Sequence, residues 1–254
     1  MDELSNKVAI VTGSTKGIGR SIAHLFSKNG AHVIVTSRSL DVAQNIVKEL
    51  HPYGNEALAI KTDVGSDDDV SNLVDAVVSK YGKIDILINN AGFPLTAKYW
   101  DSSFDLLSID DYQNVINVDL MGSIRCCKKI IPLMKRNKSG SIVNISSTPA
   151  LSGHDLGAPY TIAKAGILGL TKHLAKEYGK YNIRVNCLAL GNIKSSATFA
   201  HFDQDTQEKL SKESSLQRWG ETIEVAKTCL MLSSDNFSFV NGQTIVVDGG
   251  AVLL

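Results

Sequence analysis

The chain has too few cysteines for a disulfide framework: four among 254 residues, scattered at Cys126, Cys127, Cys187 and Cys229, which suits reduced thiols in a cytoplasmic protein. Neither sign of charge is in excess. The 26 basic residues balance 26 acidic ones, which argues against a general nucleic-acid binder, since that would need a basic face against phosphates. No apolar run approaches the roughly 20 residues that span a bilayer, so no membrane attachment is expected. The opening Met1-Asp2-Glu3-Leu4-Ser5 is acidic and polar and is not expected to be a secretory signal. None of the six histidines stands at His-x-x-x-His spacing, so no metal is expected. Linkers rich in Pro, Gly and Ser, internal repeats and low-complexity stretches are all missing, and one domain over residues 1–254 is the economical expectation.

What is present is an alternation. Short β-branched runs at Val8–Val11, His32–Thr36, Ala57–Ile60, Ile84–Ile88, Ser141–Ile145, Ile183–Leu188 and Thr244–Val247 are separated by longer amphipathic segments. The latter include Ile18 to about Asn29, Asp41–Leu50, about Asp111–Lys135 and Pro159–Tyr178. Near-continuous apolar strands between helices imply an α/β fold, a seven-stranded parallel sheet flanked by helices on both faces.

The first strand runs into Gly13-Ser14-Thr15-Lys16-Gly17-Ile18-Gly19 and then a helix. Glycines there permit a tight turn and close backbone approach, and a helix N-terminus offers unpaired N–H groups to a pyrophosphate. The spacing is neither G-x-G-x-x-G nor that of a P-loop. Asn90-Ala91-Gly92, preceded by Asn89, follows the fourth strand at the edge where open α/β sheets bind ligands. Asp63-Val64 ends the third strand, where the carboxylate either accepts from an adenine amino group or caps a turn.

Tyr160 and Lys164 stand one helical turn apart, thirteen residues after Ser147. A free tyrosine ionises near pH 10, and a cation one turn away stabilises its phenolate and makes the proton mobile. With the glycine loop, this order points to hydride transfer with a nicotinamide dinucleotide.

The chain resembles the short-chain dehydrogenase/reductase family over essentially its whole length. Thr12-Gly13-x-x-x-Gly17-Ile18-Gly19, Asn89-Asn90-Ala91-Gly92, Asn117, Ser147, Tyr160-x-x-x-Lys164 and Val247-Asp248-Gly249-Gly250 carry the resemblance. It implies a single doubly wound Rossmann-type domain. It also implies that Tyr160 is the acid/base, that Lys164 binds the nicotinamide ribose, that Ser147 holds the substrate oxygen and that Asn117 supports a water-mediated proton relay. Ser147 is preferred to Ser146 because its offset to Tyr160 suits the family pattern. Gly191, Ile193 and Ser195 would lie near the carboxamide, with Leu190 and Ser195 replacing the usual proline and threonine. Losing proline's fixed φ is expected to loosen that turn.

An NAD enzyme would carry an acidic residue after the second strand to hold the ribose 2′-hydroxyl. Here Ser37-Arg38 follows, and Lys16 sits in the glycine loop, so the resemblance implies NADP (NADPH), with ordinary surface cations as the other reading. Specificity is expected in two segments, about residues 93–107 with Tyr99, Trp100 and Phe104, and 192–216 with Phe199, His201 and Phe202. These aromatics line an apolar cleft or pack a lid or subunit contact. His154 either touches substrate or is an exposed loop residue. The chain is similar to 3-oxoacyl-thioester reductases and NADP carbonyl reductases. A sugar or polyol dehydrogenase and an NADP-sensing binding protein without turnover are the alternatives. The two long helices commonly pair between subunits in this family, which implies a homotetramer.

Overall fold

The β-branched runs form strands because their side chains pack on both faces of a buried sheet. In the computed structural model, which describes residues 3–94, 96–195, 198–199 and 202–253, β1 (Val8–Val11) leads into α1 (Gly17–Lys28) and β2 (His32–Ser37) into α2 (Leu40–Leu50). Then come β3 (Leu58–Lys61), α3 (Asp67–Tyr81), β4 (Ile86–Asn89), α4 (Ala97–Trp100), α5 (Ile109–Asp119) and α6 (Met121–Asn137). The second half holds β5 (Gly140–Ser147), α7 (Pro149–Ser152), α8 (Ala158–Tyr178), β6 (Ile183–Leu190), β7 (Ile193–Lys194), α9 (Gln204–Ser211), β8 (Gly220–Glu221), α10 (Thr222–Ser233) and β9 (Thr244–Val247).

Seven strands pair in the order β3-β2-β1-β4-β5-β6-β9, all parallel. The expected α/β class and seven-stranded sheet are therefore observed. Successive residues of β1 serve opposite faces, as the twofold repeat of a strand requires. Ala9 and Val11 join Ile22, Phe26, Ile46 and Cys229 from α1, α2 and α10, while Val8 and Ile10 join Leu73, Ile130 and Leu174 from α3, α6 and α8. All four cysteines are buried and free. Burial pushes the thiols of Cys126, Cys127 and Cys187 up to about 12, so they behave as small apolar groups.

Two features differ from the expectation. The segment at 111–135 is two helices joined at Leu120. Gly122, just past this junction, lets α6 lie against Val64 at the end of β3, where a Cβ would meet the Val64 Cγ2 at 2.7 Å. A two-strand parallel ladder, Ile193↔Gly220 and Lys194↔Glu221, was also not anticipated, because two residues are too short to show an alternating pattern. Among the described residues no helix is long and apolar enough to cross a membrane.

Candidate active site

Strand order reverses between β1 and β4, and at this switch point the strand ends part to leave a crevice. The resulting cleft has a volume of about 600 Å³. Its floor is the glycine loop. Gly13 and Gly17 adopt φ of 63° and 52°, in the left-handed region that favours glycine. Lys16, the N-cap of α1, makes no side-chain cap, and the first turn carries no acidic residue. The leading N–H groups of α1 are thus left for an external anion.

Asn90 fastens this loop to β4. Its Nδ2 donates to the carbonyls of Thr12 at 2.9 Å and Gly13 at 3.2 Å, and the Thr12 hydroxyl accepts from the N–H groups of Asn90 and Ala91, each at 2.9 Å. Asn89 is scaffold instead: it donates to Asn144 Oδ1 at 2.8 Å, and Asn144 in turn to the Thr171 hydroxyl at 2.9 Å.

Of the residues expected at a cofactor, Gly13, Thr15, Lys16, Gly17, Ile18 and Gly19 line the cleft from the glycine loop. Ser37, Arg38, Asp63 and Val64 line it from the ends of β2 and β3, and Ala91 and Gly92 from the turn after β4. Gly191, Ile193 and Ser195 line it beyond β6. Ser14 is not among the lining residues, because its hydroxyl accepts the Thr36 N–H at 2.9 Å from a fully buried position. Asp63 borders the cleft, and one of its oxygens accepts the Gly65 N–H at 2.8 Å and closes a turn.

The opposite wall holds Ser147, Tyr160 and Lys164. Ser147 ends β5, and its hydroxyl donates to the Leu190 carbonyl at 3.2 Å. Its neighbour Ser146 also borders the cleft but is buried, and its hydroxyl donates to the Lys164 carbonyl at 2.9 Å. Lys164 lies one turn after Tyr160 on α8, with its Nζ 5.5 Å from the Tyr160 ring centroid. That Nζ also donates to the Ile145 carbonyl at 3.2 Å and pairs with Asp119 Oδ2 at 3.2 Å.

Asn117 does not join this group. Its carbonyl and its Oδ1 accept from Arg125 at 3.0 and 2.8 Å, and Arg125 reaches on to Asp67 at 3.3 Å. Two residues further along a helix is a rotation of about 200°. Asp119 therefore points where Asn117 was expected to point. Both residues belong to α5, and only the helical phase separates them.

Leu190 pairs with Val247 in the sheet, its side chain joins the core, and its carbonyl accepts from Ser147, from the Thr148 N–H and from the Thr148 hydroxyl. Three donors and a core contact anchor this strand end.

The two aromatic segments divide. Trp100 packs edge-on to Tyr160 with centroids 5.4 Å apart and also meets the exposed His154 ring at 4.7 Å. Phe93 lines the cleft and meets Tyr99 at 5.0 Å, whereas Phe104 is exposed and meets Tyr112. In the second segment Phe199 and Phe202 pack on Trp219, whose indole N–H donates to the Gln207 carbonyl at 2.8 Å. These rings form a cluster with one another around Trp219. His201 lies outside the described residues.

The profile of a family described as Enoyl-(Acyl carrier protein) reductase matches residues 13–252. The chain belongs to the short-chain dehydrogenase/reductases. It is 37% identical over 246 residues to the 3-oxoacyl-acyl-carrier-protein reductase FabG of Staphylococcus epidermidis strain RP62A, covering 96% of this chain and 98% of that one. The FabG of Thermotoga maritima is 36% identical over 250 residues, covering 98% and 99%. A crystal structure from Sinorhizobium meliloti 1021, of a protein assigned provisionally to the short-chain alcohol dehydrogenases, superposes with a TM-score of 0.92 at 30% identity, covering 98% of each chain.

As a short-chain dehydrogenase/reductase, the protein is an oxidoreductase acting on a carbonyl/alcohol pair with a nicotinamide cofactor. The chain has the cradle this requires. The uncapped start of α1 suits a pyrophosphate, and at Gly19 a Cβ would overlap the Gly13 carbonyl oxygen that shapes the loop.

Proposed function

We propose that this short-chain dehydrogenase/reductase uses NADP(H) to reduce a 3-oxoacyl thioester or related ketone, with Ser147, Tyr160 and Lys164 as its catalytic residues. The observation that carries the reading is the Ser147–Tyr160–Lys164 group on one wall of a cleft whose floor is an anion-ready glycine loop. The names of the FabG relatives support the substrate class. Lys16 and Arg38 support the cofactor: both are exposed on the cleft rim, and neither is held in an ion pair among the described residues. Each is available to a 2′-phosphate, and the second strand ends without the carboxylate that would repel one.

The bound dinucleotide supplies the hydride. The residues of the chain handle the proton and the oxygen. Ser147, rotating its hydroxyl away from the Leu190 carbonyl, donates to the substrate carbonyl oxygen and fixes its direction, and Tyr160 delivers a proton there as negative charge develops. The ammonium of Lys164 stabilises the phenolate that remains, and its place beside the cleft suits a ribose hydroxyl. The turn at Gly191 depends on glycine, since a Cβ would meet the Asp248 Cβ at 2.5 Å. We further infer one dinucleotide-binding and catalytic unit over residues 1–254, with specificity in segments 93–107 and 192–216. Apolar side chains on the α6 and α8 faces, Met121 and Ile162 among them, are exposed and support pairing of subunits into a homotetramer.

The test is NADPH consumption with acetoacetyl-CoA, run beside Tyr160→Phe. Turnover by the wild type and none by the variant, with NADPH binding intact in both, is the expected result. Equal turnover by both would remove Tyr160 from the chemistry. NADPH binding without turnover by the wild type would shift the substrate to sugars or polyols, or leave a nucleotide sensor.

A further inference from the structure

The cationic residue of the proposed proton-transfer site is not alone in its pocket. Lys164 and Asp119 form an ion pair at 3.2 Å with only 7% and 1% of their side chains exposed. The second carboxylate oxygen of Asp119 accepts the Phe93 N–H at 2.6 Å, so the group is fixed to the loop after β4 as well. The Ser123 hydroxyl holds the Asp119 carbonyl at 3.0 Å, which pins the end of α5. Burial would lower the Lys164 ammonium, but the Asp119 carboxylate and the Tyr160 phenol outweigh it and hold the lysine above its ordinary value.

We propose that Asp119 is the resident counter-ion of Lys164 and a positioning residue for proton transfer: it fixes the ammonium beside Tyr160 and moderates the positive charge that the phenol meets. This rests on the reading of Tyr160 as proton donor.

The charges around the pair are few, which makes the effect of one carboxylate readable. From α8 itself Lys164 faces Tyr160, from α5 Asp119, and from β6 the Cys187 thiol. β5 contributes the Ile145 carbonyl and the Ser146 hydroxyl, which carry no net charge. α4 contributes the uncharged Trp100 against Tyr160, and the exposed His154 stacks on that Trp100 at 4.7 Å; imidazoles as a class titrate below the alkaline range.

With the ammonium and phenol intact, the trio of Asp119, Lys164 and Tyr160 is neutral. Removing the carboxylate charge leaves it at net +1. A cluster made more positive sheds its first proton at lower pH, whether that proton comes from the phenol or the ammonium.

The experiment is the pH profile of kcat/KM for NADPH-dependent reduction by wild type, Asp119→Asn and Asp119→Glu. The alkaline limb of Asp119→Asn is expected to move about one pH unit towards acid, while Asp119→Glu, which keeps the charge, stays near the wild-type limb. Asp119→Ser is also uncharged and smaller, and it carries the same expectation if the asparagine variant does not fold. A lower kcat with an unmoved limb would reduce Asp119 to a structural anchor and overturn the proposal. A limb displaced towards alkali would overturn it as well. Tyr160→Phe serves as the control: turnover by that variant removes the proton-donor reading and this inference together, whereas an inactive Tyr160→Phe beside an unmoved Asp119→Asn limb sinks the inference alone.

Discussion

Gly19→Ala sets two effects of opposite sign against each other. Gly19 is the third residue of α1, and in a helix alanine is favoured over glycine by about 1 kcal/mol. Propensity alone therefore predicts a more stable protein. The structure opposes it, because the added Cβ would overlap the Gly13 carbonyl oxygen and come within 2.5 Å of the Asn90 Nδ2. Neither is the flexible tip of a long side chain. The first belongs to the backbone, and the second is tied to Thr12 and Gly13 by two hydrogen bonds. Overpacking costs about 1–3 kcal/mol, and each of those bonds contributes about 1 kcal/mol. The balance is a loss of about 2–4 kcal/mol, read as a lower urea midpoint at unchanged slope. Because the same shift misplaces the leading N–H groups of α1, NADPH affinity measured by fluorescence should fall at least about tenfold. A variant more stable than wild type, with unchanged NADPH affinity, would refute the claim that backbone approach requires glycine here.

Arg38→Asp should weaken NADPH by about tenfold or more while sparing NADH, since a charge-assisted bond to the 2′-phosphate is replaced by repulsion; parallel kcat/KM values with both cofactors check this, and an unchanged ratio would remove Arg38 from the phosphate site. Trp100→Ala opens the space beside Tyr160 and should raise kcat/KM for bulky ketones relative to acetoacetyl-CoA by about tenfold, with NADPH binding unchanged; an unchanged ratio would mean that Trp100 walls off no substrate. Asp111 is held down to about 2 by its bonds to Lys98 and Ser108. A carboxyl depressed by folding contributes stability that is complete above its ordinary value near pH 4 and is lost as pH falls towards 2. Asp111→Asn should therefore flatten the stability profile across that window, followed by circular dichroism, and an unaltered acid limb would show that the Lys98 contact does not matter.

Much of the framework was legible because it depends on local chemistry. Seven β-branched runs specify buried parallel strands, and a glycine loop between strand and helix specifies where an anion can approach. Boundaries moved by a residue or two, as at β3 and β4, since strand ends are set by partners rather than by composition. The ladder of β7 with β8 was hidden because two residues carry no periodicity. The aromatic segments could not be apportioned in advance: whether a ring faces the cleft or packs in a ring cluster depends on tertiary neighbours. Trp100 meets Tyr160, while Phe199 and Phe202 meet Trp219, a residue outside both segments.

The finer divisions at the site fall between near neighbours of the same kind. Asn89 braces β4 to β5, and Asn90, one residue on, crosses to the glycine loop. Ser146 braces β5 to α8, and Ser147 faces the cleft. Within β5 the strand reverses side-chain direction at each step, so the two serines take different partners although both border the cleft. On a helix the same division occurs two residues apart. Asn117 secures Arg125 and Asp119 meets Lys164, because about 200° of rotation separates them. Residue type alone does not say which of the two faces the ammonium. Direction decides between them, and once direction favours Asp119 the consequence is one of charge: an asparagine would orient Lys164 without neutralising it, whereas this carboxylate does both. The pH at which the enzyme works is thus expected to depend in part on a buried carboxylate paired with the lysine.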